Sequence, residues 1–435
     1  MQPERPVSIA RPGAFVWVMT FPAGWFREIE EDSSLRLYGS ALALTHAVTM
    51  LFWRQQSVIS FLGRGTEAIC WPLLRGCETL RALTVQQLAW GLRGYFAAAV
   101  LVAVLFLIPR RTALACFGLA GLSAFLMLFA ALDFRLRANQ HYLVLWISAV
   151  FLLLPSKRDA IRVLLVLFYV WAATLKLNPD WISGAALPVA DWIIPASLVV
   201  AACVYLIVLE AGVSWGLLAG PGWIFWGALA QFFLFHVVSW QQVGFYFPMV
   251  MFLLLSVFPL IRLGPGGSEG ASVLSRLLRG RLRPSTYAMM AGLSLFQLPP
   301  LLIPGDAALT GEGRSYALHM VDAGVRCRGW AVVRHRDGST SEVDLHGKAV
   351  TRIACDPIVI AERARNICDG RSRFTSGAVE LDLHLVARRR SGVALETIID
   401  LAGFCARKVR YNPFGRNDWI RAAGVYSPRS RRSEP

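Results

Sequence analysis

The sequence predicts a membrane α-helical bundle of about 8–9 transmembrane helices with a C-terminal β-rich extramembrane domain. Three observations lead there. Of 435 residues, 55% are hydrophobic and only 17% charged, whereas soluble proteins carry roughly a quarter charged residues. Apolar runs long enough to cross about 30 Å of hydrocarbon recur as far as residue 304. After Pro304 the pattern changes to apolar–polar alternation, as in half-buried strands.

The net charge of +16 raises nucleic acid as a partner, but the arginines lie at the ends of apolar runs and in the last third of the chain. They form no basic-aromatic patch and no known nucleic-acid module, so the expected partner is the lipid bilayer. Residues 1–34 read as an N-terminal cytoplasmic or interfacial segment. Its apolar run at 12–26 is broken by Pro12, Pro22 and Gly24 and has no small-residue cleavage site, so no cleavable signal peptide is expected.

Residues 35–304 read as the transmembrane domain, with spans near 37–53, 87–108, 112–132, 141–155, 160–177, 193–218, 222–239, 242–261 and 286–304. The runs at 141–155 and 160–177 are short for a crossing. Nine spans put the two ends of the chain on opposite sides. Arg110-Arg111, Lys157-Arg158 and the stretch 262–283 become cytoplasmic if the N-terminus is, leaving the loops near 180–192 and 240 outward with little positive charge. Arg54, Arg64, Arg75 and Arg81 in the first outer loop run against that rule. The Arg and Ala bias suggests a high-GC bacterial gene. The expected location is therefore the cell inner membrane, with residues 305–420 forming a periplasmic β-rich domain. Trp330-Ala331-Val332-Val333 and Val379 to Leu385 carry its strand pattern. Residues 421–435 read as a disordered basic tail.

Cys70, Cys77, Cys327, Cys355, Cys368 and Cys405 all fall on the predicted outer side. Disulfides of undetermined connectivity and free buried thiols are equally open readings. Cys116 and Cys203 lie inside spans as packing residues.

Polar groups inside the spans carry the functional information: His46, Asp133, Asn139, Gln140, His141, Lys176, Glu210, Gln231 and His236. Several such groups on different spans point to a polar pocket within the bundle. Lys176 is the sharpest. The chain has 44 basic residues and only four lysines, and Lys176 alone among them ends an apolar run, Val163 to Leu175. A lysine can lose its proton and act as a base, which an arginine cannot. The bland alternative is snorkelling to the interface beside Trp181. Asp180 would pair with Lys176 if the helix continued, but Pro179 argues that the chain unwinds there. His236 reads either as a pocket residue or as a histidine bonded to a neighbouring helix. Glu210 reads as a pocket acid or a structural partner for an arginine, and Asn139-Gln140-His141 as pocket or interfacial residues. Gly212-Val213-Ser214-Trp215-Gly216 and Gly266-Gly267-Ser268-Glu269-Gly270 match G-x-S-x-G without the context of a nucleophile elbow. No metal motif is present, and no metal is expected.

Tyr169-(x6)-Lys176-Leu177-(x3)-Trp181-(x2)-Gly184 resembles the lysine segment of the HTTM family, the membrane proteins related to vitamin K-dependent γ-glutamyl carboxylase. Phe235-His236 and the following Val243 to Met249 resemble its FH segment. Leu395 to Leu401 and Asp418-Trp419-Ile420 are similar to the closing segment of bacterial carboxylase-like members, and Asp356 to Ile360 to an earlier landmark. The likeness spans roughly residues 35–420. It implies a quinone-dependent enzyme that carboxylates glutamate in a secreted peptide or protein, a carbon–carbon lyase using reduced vitamin K or another quinol. Lys176 would be the base and His236 a nearby pocket residue. Two departures stand out: Gln140 occupies the place of the family's histidine, with His141 one position later, and Leu175 replaces a second lysine. A non-carboxylating member acting in maturation or export of a secreted peptide is the alternative. A transporter is a weaker third reading, since no internal repeat is visible.

Overall fold

The computed structural model describes residues 26–56, 58–63, 69–72, 74, 77, 83–187, 193–265, 272–318, 325–345, 353–370 and 378–421. The expected segment before residue 26, the tail after residue 421, Arg64, Arg75, Arg81 and the second G-x-S-x-G stretch lie outside those residues.

The chain is mostly helical, with six apolar helices of membrane length at Ser33–Gln55, Val85–Leu107, Pro109–Ala131, Ala196–Leu218, Gly222–Val243 and Tyr246–Leu263. We label the bundle helices α1 (Ser33–Gln55), α2 (Val85–Leu107), α3 (Thr112–Ala131), α4 (Asn139–Leu153), α5 (Lys157–Leu175), α6 (Pro179–Ile182), α7 (Val199–Ala211), α8 (Gly222–Val243), α9 (Tyr246–Leu255), α10 (Val257–Leu263) and α11 (Pro284–Gln297). The expected runs at 141–155 and 286–304 thus become helices of 15 and 14 residues. Pro299 opens a separate short helix after the second. The run at 242–261 is divided into α9 and α10.

Local signals place the helix starts. The Asp32 carboxylate caps α1 through the amides of Ser34 and Leu35 at 2.9 and 3.4 Å, and Thr84 and Gln87 form a capping box on α2. Helix α1 is central, packed on α2, α9 and α10. Helix α5 is buried over most of its length, from Ala160 to Tyr169. The outer helices instead leave large apolar side chains uncovered, among them Leu101, Leu128, Trp223 and Leu234. Such a face is suited to a lipid bilayer.

The two ends of the bundle differ. At one, basic residues converge on acids of the N-terminal region and of the first turn of α5. The Lys157 amide donates to Glu28, Arg158 pairs with Asp32, and Arg276 grips Asp159 at 2.5 and 2.8 Å. At the other, the α1–α2 loop and the α3–α4 turn meet the C-terminal domain. Ile69, Phe134, Ile353, Ile358 and Val359 share one apolar cluster there. Asp133, expected among the polar groups inside the spans, belongs to this end: it pairs with Arg135 and accepts from the Ile69 amide.

The C-terminal domain is a four-stranded antiparallel sheet in the order β2-β1-β3-β4, with β1 Arg326–His335, β2 Thr340–Asp344, β3 Ala378–Arg388 and β4 Glu396–Leu401. The alternation works as expected: Ala331, Val333, Leu381, Leu383 and Leu385 point into one core. Asp356 to Ile360 start a helix, α12 (Pro357–Cys368), with Asp356 as N-cap and Pro357 in the first turn. Ile360, Ala361, Ala364 and Ile367 pack it against the sheet. The six outer cysteines are all paired, as Cys70–Cys77, Cys327–Cys355 and Cys368–Cys405. The last two staple α12 to the sheet domain at both ends. Cys116 and Cys203 are free and buried.

Candidate functional site

Lys176 follows the last residue of α5, where the expected snorkelling would carry its ammonium to the interface. The structure turns it inward instead. The side chain is 3% exposed and its Nζ pairs with Glu210 near the end of α7, itself 3% exposed. The Ala172 carbonyl lies 3.4 Å from Nζ. On the other side Nζ stands 5.2 Å from the centre of the Trp181 ring, within cation–π range. Trp181 is fixed by its indole N–H, which donates to the Cys203 carbonyl of α7 at 3.1 Å. Helix α7 therefore supplies both the counter-ion and the anchor for the aromatic lid. The first G-x-S-x-G serine, Ser214, donates to the Glu210 carbonyl at 2.7 Å, a structural role.

Two helical turns before Lys176, on the same face of α5, Tyr169 meets the Nε2 of His236 at 2.8 Å. His236 is fully buried, ringed by Phe235, Phe247 and Phe252, and its Nδ1 has no protein partner. The histidine therefore is bonded to a neighbouring helix and also retains a free polar atom. Through α5, which carries Tyr169 and leads into Lys176, the Tyr169–His236 pair and the Lys176–Glu210 pair lie two turns apart.

Asp180 departs from its expectation as a partner of Lys176. Pro179 does not simply break the helix; capped by Asn178, it starts α6. That restart turns Asp180 towards the C-terminal domain. Its carboxylate is 2% exposed and accepts from the Ser391 hydroxyl, the Ser391 amide at 2.9 Å and the Arg390 amide at 3.3 Å, all in the β3–β4 turn. Arg389 stands 3.8 Å from it and is held by Asp306, while Arg390 donates to the Leu187 carbonyl at 2.9 Å. A hairpin turn of the C-terminal sheet thus clamps the residue next to Trp181.

The remaining expected residues fall elsewhere. Asn139 is the half-buried first residue of α4, and Gln140 beside it is 8% exposed. His141 is buried against Trp53 and Tyr246, with His46 and Tyr95 in the same set of rings. Gln231 pairs with Tyr205 at an exposed position. Tyr169 stands in the sequence as the first residue of the Lys176 segment, but its bond to His236 has no signal there. Arg389, Ser391 and Asp306 are not legible as site residues, being more than 80 residues away from their partners.

A cavity of about 550 Å³ lies at the C-terminal domain, between Trp71, α12 and Lys408 to Tyr411. It shares no lining residue with the Lys176 group. Among the described residues no cluster of three or more His, Cys, Asp or Glu is arranged to hold a metal. Comparison of the chain with protein-family models, with curated proteins and with solved structures finds no match.

Proposed function

We propose that the chain is a nine-pass inner-membrane enzyme of the HTTM, carboxylase-like family, with its sheet domain in the periplasm. In this reading Lys176 acts as a base towards a lipid-soluble quinol in the carboxylation of glutamate in a secreted peptide or protein. The observation that carries it is the burial of Lys176 against Glu210 inside the bundle. A cation at that depth is costly, and such groups in membrane domains mark functional sites.

The chemistry follows from the pair. A proton shared by Lys176 and Glu210 can rest as ammonium and carboxylate or as amine and carboxylic acid. In the second arrangement the amine can take a proton from an acidic hydroxyl. The Trp181 ring then faces the ammonium so formed. His236, with its unpartnered Nδ1 among three phenylalanine rings, fits an apolar ring bearing a polar oxygen. A reduced quinone, when bound, supplies the acidic hydroxyl and, with oxygen, the strong base that the γ-carbon of glutamate requires. Tyr169 holds His236 in place, and the Asp180 clamp holds Trp181 over Lys176.

The test is purified protein with reduced quinone, labelled bicarbonate and a panel of Glu-containing peptides. Lys176→Arg keeps a cation for Glu210 but removes the base, so incorporation should fall at least about 100-fold in a folded protein. Full activity of that variant would remove Lys176 as the base. One observation favours a non-carboxylating member instead: His141, the nearest histidine to the Gln140 position, turns into a different set of rings. That reading expects peptide binding without incorporation by the unaltered protein.

A further inference from the structure

A second group of polar side chains lies within the bundle, and neither Lys176 nor its neighbours belong to it. The Nδ1 of His46 on α1 meets the Tyr95 hydroxyl of α2 at 2.6 Å, and its Nε2 has no protein partner. Two turns along α1, Trp53 has an unpartnered Nε1. His141, in the first turn of α4, has no well-formed hydrogen bond at either ring nitrogen, although the Leu136 backbone is close enough to interact with the ring. The three residues are 0%, 1% and 4% exposed. Their rings touch in sequence. Trp53 and His141 have centroids 5.3 Å apart, Trp53 and Tyr95 6.0 Å, and His141 and Tyr246 6.1 Å. Tyr246 is in turn hydrogen-bonded to Thr49 at 3.0 Å.

Buried polar atoms are rarely left unpaired, because hydrocarbon gives nothing back for the water they lose. Four such atoms in one contiguous set of rings therefore point to a ligand. The set contains no acid and no cation, so the ligand is neutral. It must accept from the indole N–H and serve imidazoles that each present one donor and one acceptor. Water meets all of these needs, since a buried molecule ordinarily makes about three hydrogen bonds to otherwise unpaired groups. Trp53, His141 and Tyr246 lie near the helix ends that face the sheet domain, while His46 and Tyr95 lie deeper in α1 and α2. We infer that His46, Trp53 and His141 hold ordered water in an uncharged hydrated pocket, which leads from that end of the bundle into its interior. The inference does not depend on the role given to Lys176.

Radiolytic hydroxyl-radical footprinting of the full-length protein in nanodiscs tests it, because radicals formed from ordered water label the side chains beside it. His141 and Trp53 should be labelled several-fold faster than Phe106 and Phe151, fully buried rings elsewhere in the bundle. Labelling no faster than at those two rings overturns the inference. Stability gives a second readout of opposite sign. With water in place, His141→Phe and the smaller His141→Leu both strand the remaining polar atoms and lower the melting midpoint by a few degrees. In a dry cluster the same changes remove two unpaired nitrogens and raise it, which would equally overturn the inference. Should neither variant fold, the footprint of the unaltered protein decides.

Discussion

Glu210 in the helical bundle and Glu312 beside the C-terminal sheet domain are both buried carboxylates, and they are held by different means. Glu210 faces a cation, Lys176. Glu312, 1% exposed, has neutral donors: the Asn417 amide at 2.5 Å and the Asn417 side chain at 3.0 Å, both on one oxygen. Burial raises the Glu312 carboxyl above its ordinary 4.5, with the Asn417 hydrogen bonds acting in the other direction. A carboxylate buried among apolar helices needs an opposite charge. Glu312 is held by amide donors, with the charge of Arg416 adding to them. Asp180 stands between the two cases, buried and clamped by a hairpin's amides and hydroxyl. The contrast also separates chemistry from architecture. Of the three carboxylates, only Glu210 faces a lysine.

Removing one member of the charged pair is the largest perturbation. Lys176→Met leaves Glu210 buried without its cation and should cost about 3–5 kcal/mol in denaturant unfolding of the detergent-solubilised protein. The double variant Lys176→Met/Glu210→Met should recover most of that loss. A single variant as stable as the unaltered protein would break the comparison, because it would mean that Glu210 never carried a charge needing compensation.

The bundle was legible from its apolar runs because hydrocarbon imposes length and composition on each crossing helix. The sheet was legible because one wet and one dry face force a period of two. The partner of Lys176 was not. Asp180 has the right spacing for a helical pair, and only the restart of the helix at Pro179 turns it away. Glu210 lies 34 residues on, in another helix, where no local rule reaches. Helix α12 was hidden by the expectation of strands, although Asp356-Pro357 is a legible start signal. The six cysteines outside the predicted spans could be told from Cys116 and Cys203, but their pairing required the fold.

Asp180→Asn gives an effect of middle size. The amide keeps one acceptor oxygen for the β3–β4 turn but loses the charge that faces Arg389 and strengthens three hydrogen bonds. A destabilisation of about 1–2 kcal/mol is expected, localised to the clamp. Limited trypsin digestion should show it as faster cleavage after Arg389 or Arg390, with the helical bundle intact. Unchanged cleavage would mean that the Arg389–Asp306 pair alone holds the turn, and Asp180 would then join Glu312 as a residue that shapes its surroundings without governing them.

Glu312→Gln should have the smallest effect, and its sign depends on pH. The glutamine oxygen can accept both Asn417 hydrogen bonds, so the local geometry survives. What changes is the titration. Because the folded state raises the Glu312 carboxyl, it binds that proton more tightly than the unfolded chain does. The stabilisation is then fully present below the ordinary value of 4.5 and is lost as pH rises through the folded value. Glutamine has no such dependence. Melting curves between about pH 4 and pH 8 should show the variant gaining on the unaltered protein as pH rises. A constant offset from the new amide's own packing leaves that slope untouched. If the difference instead moved in favour of glutamate at high pH, the Asn417 donors would be stabilising the carboxylate more than burial opposes it. Glu312 would then be held as securely by neutral donors as Glu210 is by its cation.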